Sequence, residues 1–217
     1  MPDPQTGSLL VAYYETFLCD QNLNVFRRHV LGRYMEGTLA RLADSGDTQS
    51  RRAAVFALGL VGSFRMNPTV ARALRDSDPT VRSLAENALW AIWFRADSAE
   101  NNAALEQISR LIGHQEFRKA ALEATHLIER SPRFAEAYNQ RAIAEYHLGQ
   151  FQASAEDCRL VLEQNPYHIG ALAGLAKCLL RLDRREEALA TLKRSSRLQP
   201  FNEDLKTLIS VLEAGGP

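Results

Sequence analysis

With 217 residues, 46% of them hydrophobic and 24% charged, the chain has the length and composition of a folded globular protein and not of a disordered one. Lysine plus arginine and aspartate plus glutamate each number 26, and the balance holds in both halves, so the basic excess that displaces counterions from a nucleic acid is missing. The three cysteines, Cys19, Cys158 and Cys178, are odd in number and form no C-x-x-C pair, which argues against a disulfide framework and for a reducing compartment.

Residues 1–8, with Pro2, Pro4, Gly7 and Ser8, read as a frayed end. The apolar run Leu9 to Tyr14 has no cationic side chain before it and no small-residue cleavage site after it, and no stretch approaches the roughly 20 apolar residues of a membrane span. A cytoplasmic chain with no membrane insertion is therefore expected, with a short helix over Leu9–Leu18 in an N-terminal segment of 1–19. Residues 20–100 repeat with a step of 31: TLARLADSGD at 38–47 matches TVARALRDSD at 69–78, and RRAAVFALGLVG at 51–62 matches RSLAENALWAIW at 82–93. Asp47 and Asp78 open helices, where an acceptor side chain meets unpaired N–H groups, and Pro79 suits the first helical position. Residues 20–31 read as a degenerate hairpin partner of 35–44. The helix over 80–94 ends on Trp90, Trp93 and Phe94, which are expected to pack on the hairpin that follows.

From residue 101 the step changes to 34, carried by Pro132, Pro166 and Pro200 and by the small residues Ala120, Ser154 and Ala188. Three ungapped copies cover 101–134, 135–168 and 169–202. Within each, apolar residues at i, i+3, i+4 and i+7 make a buried stripe, and small residues such as Ala142 with Ser154 and Ala176 with Ala188 let two helices cross closely. The prolines end the hairpins. Asn202 is an N-cap for a last helix over about 203–213, within a C-terminal capping helix and tail of 203–217.

A 34-residue period of two helices resembles the tetratricopeptide repeat, and the middle copy carries the likeness best: Tyr138, Ala142, Gly149, Phe151, Ser154 and Pro166 fill its positions. The third copy keeps Leu175, Ala176, Ala188 and Pro200. The alternating helices of the N-terminal half, with an Asp-containing turn and a following Arg, resemble HEAT repeats, especially those of bilin-lyase-like proteins. The combination resembles bacterial proteins that join the two repeat types. It implies an all-α, right-handed α-solenoid of helical hairpins.

The sequence shows no phosphate-binding glycine loop, no nucleophile elbow, no H-E-x-x-H and no paired Cys/His zinc spacing, so no catalytic residue, metal or cofactor is expected. His147 and His168 are the two histidines that one hairpin could bring together. In tetratricopeptide arrays the first helix of each hairpin lines a concave groove that receives a peptide or protein partner. By that resemblance the groove residues are Asn102, Asn139, Ile143, Tyr146, Lys177 and Arg181, with Asn139 for a peptide backbone and Lys177 and Arg181 for an acidic group. The Lys/Asn/Arg clamp with which some such domains grip a chaperone C-terminus is missing, because its positions hold Leu105, Ser109, Gln140, Gly170 and Gly174. The expected function is a non-catalytic interaction scaffold or adaptor. The alternatives are a bilin-lyase-like protein handling a linear tetrapyrrole and a subunit of a larger assembly.

Overall fold

The computed structural model describes residues 8–215, so the frayed end read over 1–8 lies, but for Ser8, outside the described residues, as do Gly216 and Pro217. The described residues form 13 α-helices and one 3-10 turn, with no strand among them. The chain divides into two compact units, Met1–Ile92 and Trp93–Pro217.

The N-terminal unit contains α1 (Leu9–Asp20), α2 (Leu23–Arg33), α3 (Glu36–Ser45), α4 (Thr48–Val61), a 3-10 turn (Phe64–Met66), α5 (Asn67–Ala73) and α6 (Pro79–Phe94), whose last two residues belong to the second unit. Asp47 accepts from Ser50 N–H at 2.8 Å and Asp78 from Val81 N–H at 2.9 Å, satisfying donors that the first turns of α4 and α6 leave open. The arginines after the first of these turns hold the second turn in place. Arg51 makes a two-point contact with Asp76 and Arg52 makes another with Asp78, with Nε–O distances of 2.7 and 2.9 Å. That fork, with the hydrogen bond from Val81, holds the Asp78 carboxyl down to about 2.

Helix α3 pairs with α4, whereas α2 packs on α1 and α4. The pairing of 20–31 with 35–44 expected from the sequence does not form: α3 takes α4 as its hairpin partner. The physical reason is the side chains at the contact. Phe26 of α2 is 2% exposed and meets Tyr14 of α1 and Phe56 of α4 at ring-centroid distances of 6.4 and 5.2 Å. Helices α4 and α6 touch nearly backbone to backbone, since a Cβ on Gly59 would stand 2.9 Å from the Cβ of Ala88.

The C-terminal unit stacks α7 (Ala99–Gly113), α8 (Phe117–Arg130), α9 (Ala135–His147), α10 (Phe151–Gln164), α11 (Ile169–Arg181), α12 (Arg185–Leu198) and α13 (Glu203–Glu213). Each of these helices packs on the next. The 34-residue step of the sequence reappears in the helix bounds: the second helices of the hairpins start at Phe117, Phe151 and Arg185. It reappears in the turns too. Gln115, Gly149 and Asp183 all take positive φ, at 61°, 78° and 58°. In each case the next N–H bonds a carbonyl five residues back: Glu116 to Leu111, Gln150 to Glu145, Arg184 to Leu179. This is the left-handed cap that ends a helix and reverses the chain, and only the middle copy gives it a glycine. At the crossing of α9 and α10, Ser154 Oγ donates to the Ala142 carbonyl at 2.7 Å, so the small residues bring a hydroxyl into bonding range of a helical backbone. The last helix is capped by Asn202, which accepts from Leu205 N–H at 3.1 Å. Its Leu212 faces inward, 8% exposed, while Leu208 and Val211 face water.

Candidate binding site

Helices α9 and α11, the first helices of the second and third hairpins, bring four of the expected groove residues to the surface. Ile143 and Tyr146 on α9 are half-buried, and Lys177 and Arg181 on α11 are exposed. Lys177 and Arg181 are one turn apart, so both cations share a helix face. Neither has a carboxylate partner among the described residues, in contrast to Arg51, Arg52 and Arg141.

A run of aromatic contacts fixes the turn end of this surface. Phe117 stacks on His147 at 4.4 Å with the rings 4° from parallel. His147 meets Tyr146 edge-on, and Tyr146 meets Phe151 edge-on at 5.3 Å. The Arg181 guanidinium lies over the Phe151 ring, 4.2 Å from its centroid. The ring holds the guanidinium in place without neutralising it, so the charge stays available to a ligand.

The two asparagines of the expected set are engaged within the protein. Asn102 lies in the first turn of α7, where its amide donates to the Asp97 carbonyl at 3.0 Å and accepts from Asp97 N–H at 3.2 Å. Asn139 is 3% exposed and donates to Glu136 Oε1 at 2.8 Å. Gln140 donates to the same oxygen at 2.8 Å, and Glu136 Oε2 lies 2.8 Å from His168 Nε2. The histidine's tautomer follows from its other nitrogen. Nδ1 accepts from Ala171 N–H at 2.9 Å, capping α11, so Nε2 carries the proton and donates to Glu136. Trp93 stacks on the His168 ring at 4.0 Å, and all five side chains are at least 96% buried.

Sequence reasoning missed this network. Glu136 and His168 stand 32 residues apart and meet only because one hairpin stacks on the next; the local signals were a histidine two residues after a hairpin-ending proline and a glutamate with amides three and four residues on. His147 and His168 serve different contacts, one on Phe117 and the other on Glu136 and Trp93.

Cys158 and Cys178 are buried, and burial pushes both thiols up, away from the thiolate needed for reactivity. Glu145, beside the bidentate Arg141–Asp157 pair, has one buried carboxyl oxygen without a partner. Burial, then the charge of Asp157, pushes this carboxyl up to about 7, against the opposing pull of Arg141. Among the described residues no cluster of His, Cys, Asp and Glu is arranged to hold a metal ion, and no helix is long and apolar enough to cross a membrane.

Two family models match: HEAT repeats over residues 35–126 and the tetratricopeptide repeat over 145–212. The chain is an all-α protein in which a stretch matching the HEAT-repeat model precedes one matching the tetratricopeptide-repeat model. It is similar to a TPR repeat-containing protein of the bacterium Rhizobium etli, with 26% identity over 149 residues, 68% of this chain and 72% of that one. Sperm-associated antigen 1 of Mus musculus is 32% identical over 77 residues, 36% of this chain but only 8% of that protein. Among solved structures, the TPR2AB domain of yeast Sti1 in its pHSP90 complex is 17% identical, with a TM-score of 0.47 over 94% of this chain and 95% of that chain.

Proposed function

We propose that the protein is a non-catalytic interaction scaffold whose C-terminal repeats receive an acidic peptide segment of a protein partner along α9 and α11. The observation that carries this reading is the pair Lys177 and Arg181, two exposed cations on one helix face with no carboxylate partner among the described residues. An arginine already seated on Phe151 loses little side-chain freedom on binding, and a carboxylate can take its planar fork through two hydrogen bonds. Ile143 and Tyr146 supply apolar and aromatic contact beside the charges. Asn139 contributes by holding Glu136, and Asn102 by closing the first turn of α7. Repeat arrays suit such work because stacked hairpins present an extended surface from little chain.

The reading is tested by passing native extract over immobilised wild type and a Lys177→Ala/Arg181→Ala variant. A protein retained by the wild type, released by salt and lost on the variant supports it. Retention by both moves the contact surface away from α11.

A further inference from the structure

The first hairpin of the C-terminal unit, α7 and α8, leaves open a face that the hairpins after it bury. Ala137 and Ala144 of α9 share a core with Ala120 and Ala124 of α8, which packs on α9. Ala171 and Cys178 of α11 share one with Ala155 and Cys158 of α10, which packs on α11. Ala137, Ala144, Ala171 and Cys178 are all 0% exposed. One 34-residue step before Ala137 and Ala144 stand Ala103 and Arg110 of α7, and both are exposed. Gln107 and His114, exposed as well, complete a spacing of four, three and four residues, which is one helix face. Beside it α7 and α8 form a cleft of about 320 Å³ with Ala104, Ile108 and Leu111 as its apolar lining and Arg110, Lys119 and Arg130 as its cations. Among the described residues Arg110 and Arg130 have no carboxylate partner, and Lys119 reaches only Glu116, at 3.9 Å.

We propose that this face receives an acidic amphipathic helix of a partner protein, seated on α7 as α8 is seated on α9. The next step of the stack supplies the shape. Arg141, 34 residues after Gln107, donates to Thr125 of α8 at 3.2 Å and forks Asp157 of α10 at 2.7 and 2.8 Å. A helix seated on α9 thus reaches the charged stripe of α10. One seated on α7 reaches the equivalent stripe of α8, where Lys119, Glu123 and Arg130 share a face. The charges supply the chemistry. Where α9 and α11 carry Ala144 and Cys178, α7 carries Arg110, so a covering helix must bring a carboxylate to it. Lys119 and Arg130 stand about 16 Å apart along α8, too far for one small anion to bridge. Glu123 lies between them and repels a continuous polyphosphate, whereas a helix can set carboxylates on the cations and a neutral side chain against Glu123. Its apolar stripe then covers Ala103 and fills the cleft over Ala104 and Leu111. None of these residues belongs to the α9–α11 surface.

The test is a nitrogen-15 NMR titration of the full chain carrying Lys177→Ala/Arg181→Ala, so that binding along α11 cannot stand in for binding on α7. The probe is an alanine- and leucine-based helical peptide of about 18 residues with glutamates along one flank, long enough to hold a helix alone. Its controls are the same peptide with glutamine for glutamate and the same peptide interrupted by a central proline. The acidic helix is expected to shift the amide signals of Ala103, Gln107, Arg110 and Glu123 and to bind at least tenfold more tightly than either control. Arg110→Glu/Arg130→Glu should weaken it at least tenfold by charge, and Ala103→Trp should do so by blocking close approach. Both changes fall on exposed positions and should leave the helical circular-dichroism signal intact. Equal binding of the glutamine peptide overturns the acidic partner, and equal binding of the proline peptide overturns the helix. Binding that survives both sets of substitutions overturns the face. Dimerisation of the chain alone in sedimentation velocity, abolished by Arg110→Glu/Arg130→Glu, overturns a foreign partner in favour of a second copy.

Discussion

At the scale of single residues, the C-terminal unit contains polar groups that are costly to disturb. Glu136 accepts from His168, Asn139 and Gln140 in a site with almost no solvent. Removing the acceptor leaves three buried donors facing one another. Glu136→Ala is therefore expected to lower stability by about 3 kcal/mol, read from urea denaturation, and a loss below about 1 kcal/mol contradicts the network. Glu145 is the opposite case, a carboxylate that the fold disfavours. Its pKa rises from 4.5 in the open chain to about 7 in the folded protein. The folded state thus binds its proton more tightly than the unfolded state. The group's contribution to stability is fully present below pH 4.5 and is lost as pH climbs through about 7. Glu145→Gln should then stabilise the protein at pH 8 by about 1 kcal/mol, a figure kept small because the side chain is half in solvent, and the gain should vanish at pH 4. A gain of the same size at both pH values contradicts the assignment.

At the scale of elements, close approach and turn geometry dominate. Putting alanine at Gly59 improves intrinsic helix propensity by up to about 1 kcal/mol, yet its Cβ would sit 2.9 Å from that of Ala88. Overpacking costs about 1–3 kcal/mol, so Gly59→Ala is expected to lower the melting temperature, and a rise would mean that α4 and α6 can separate freely. The hairpin turns run the other way. Gln115 holds the left-handed position that Gly149 fills in the next copy. Gln115→Gly should stabilise by about 1 kcal/mol, and an unchanged midpoint in denaturant would argue that this turn is not strained.

These elements also show how far sequence reasoning reached. The 34-residue step was readable because helix-ending prolines and small crossing residues are dictated locally, and both helix bounds and turns obey it. The pairing of α2 was not, because a ring such as Phe26 can pack on any neighbour and the chain alone does not say which. The first hairpin of the C-terminal unit, α7 and α8, carries the weakest tetratricopeptide pattern, with Gln107 and Ile108 in the Leu-Gly slot. Most of it falls inside the HEAT match, which ends at residue 126.

At the scale of the whole molecule, the face that the C-terminal repeats leave open decides what the protein can hold. The α9–α11 surface presents two cations beside an aromatic ladder. Of the six groove residues expected from the resemblance, Ile143, Tyr146, Lys177 and Arg181 are accessible on α9 and α11, because the repeat pattern fixes which helix face is free. Asn102 and Asn139 were less legible: short amides bond whatever backbone or carboxylate lies nearest, and their neighbours come from contacts no periodicity encodes.

The claim at the centre of this account is that α11 selects acidic peptides by charge. It is tested most directly by fluorescence anisotropy of two labelled peptides of matched length, one glutamate-rich and one lysine-rich, against the wild type and a Lys177→Glu/Arg181→Glu variant. The account predicts that the wild type prefers the acidic peptide by at least tenfold, about 1.4 kcal/mol, that added salt erodes the preference, and that the variant inverts it. Equal affinity for both peptides in the wild type, or a preference that survives the double reversal, would contradict it.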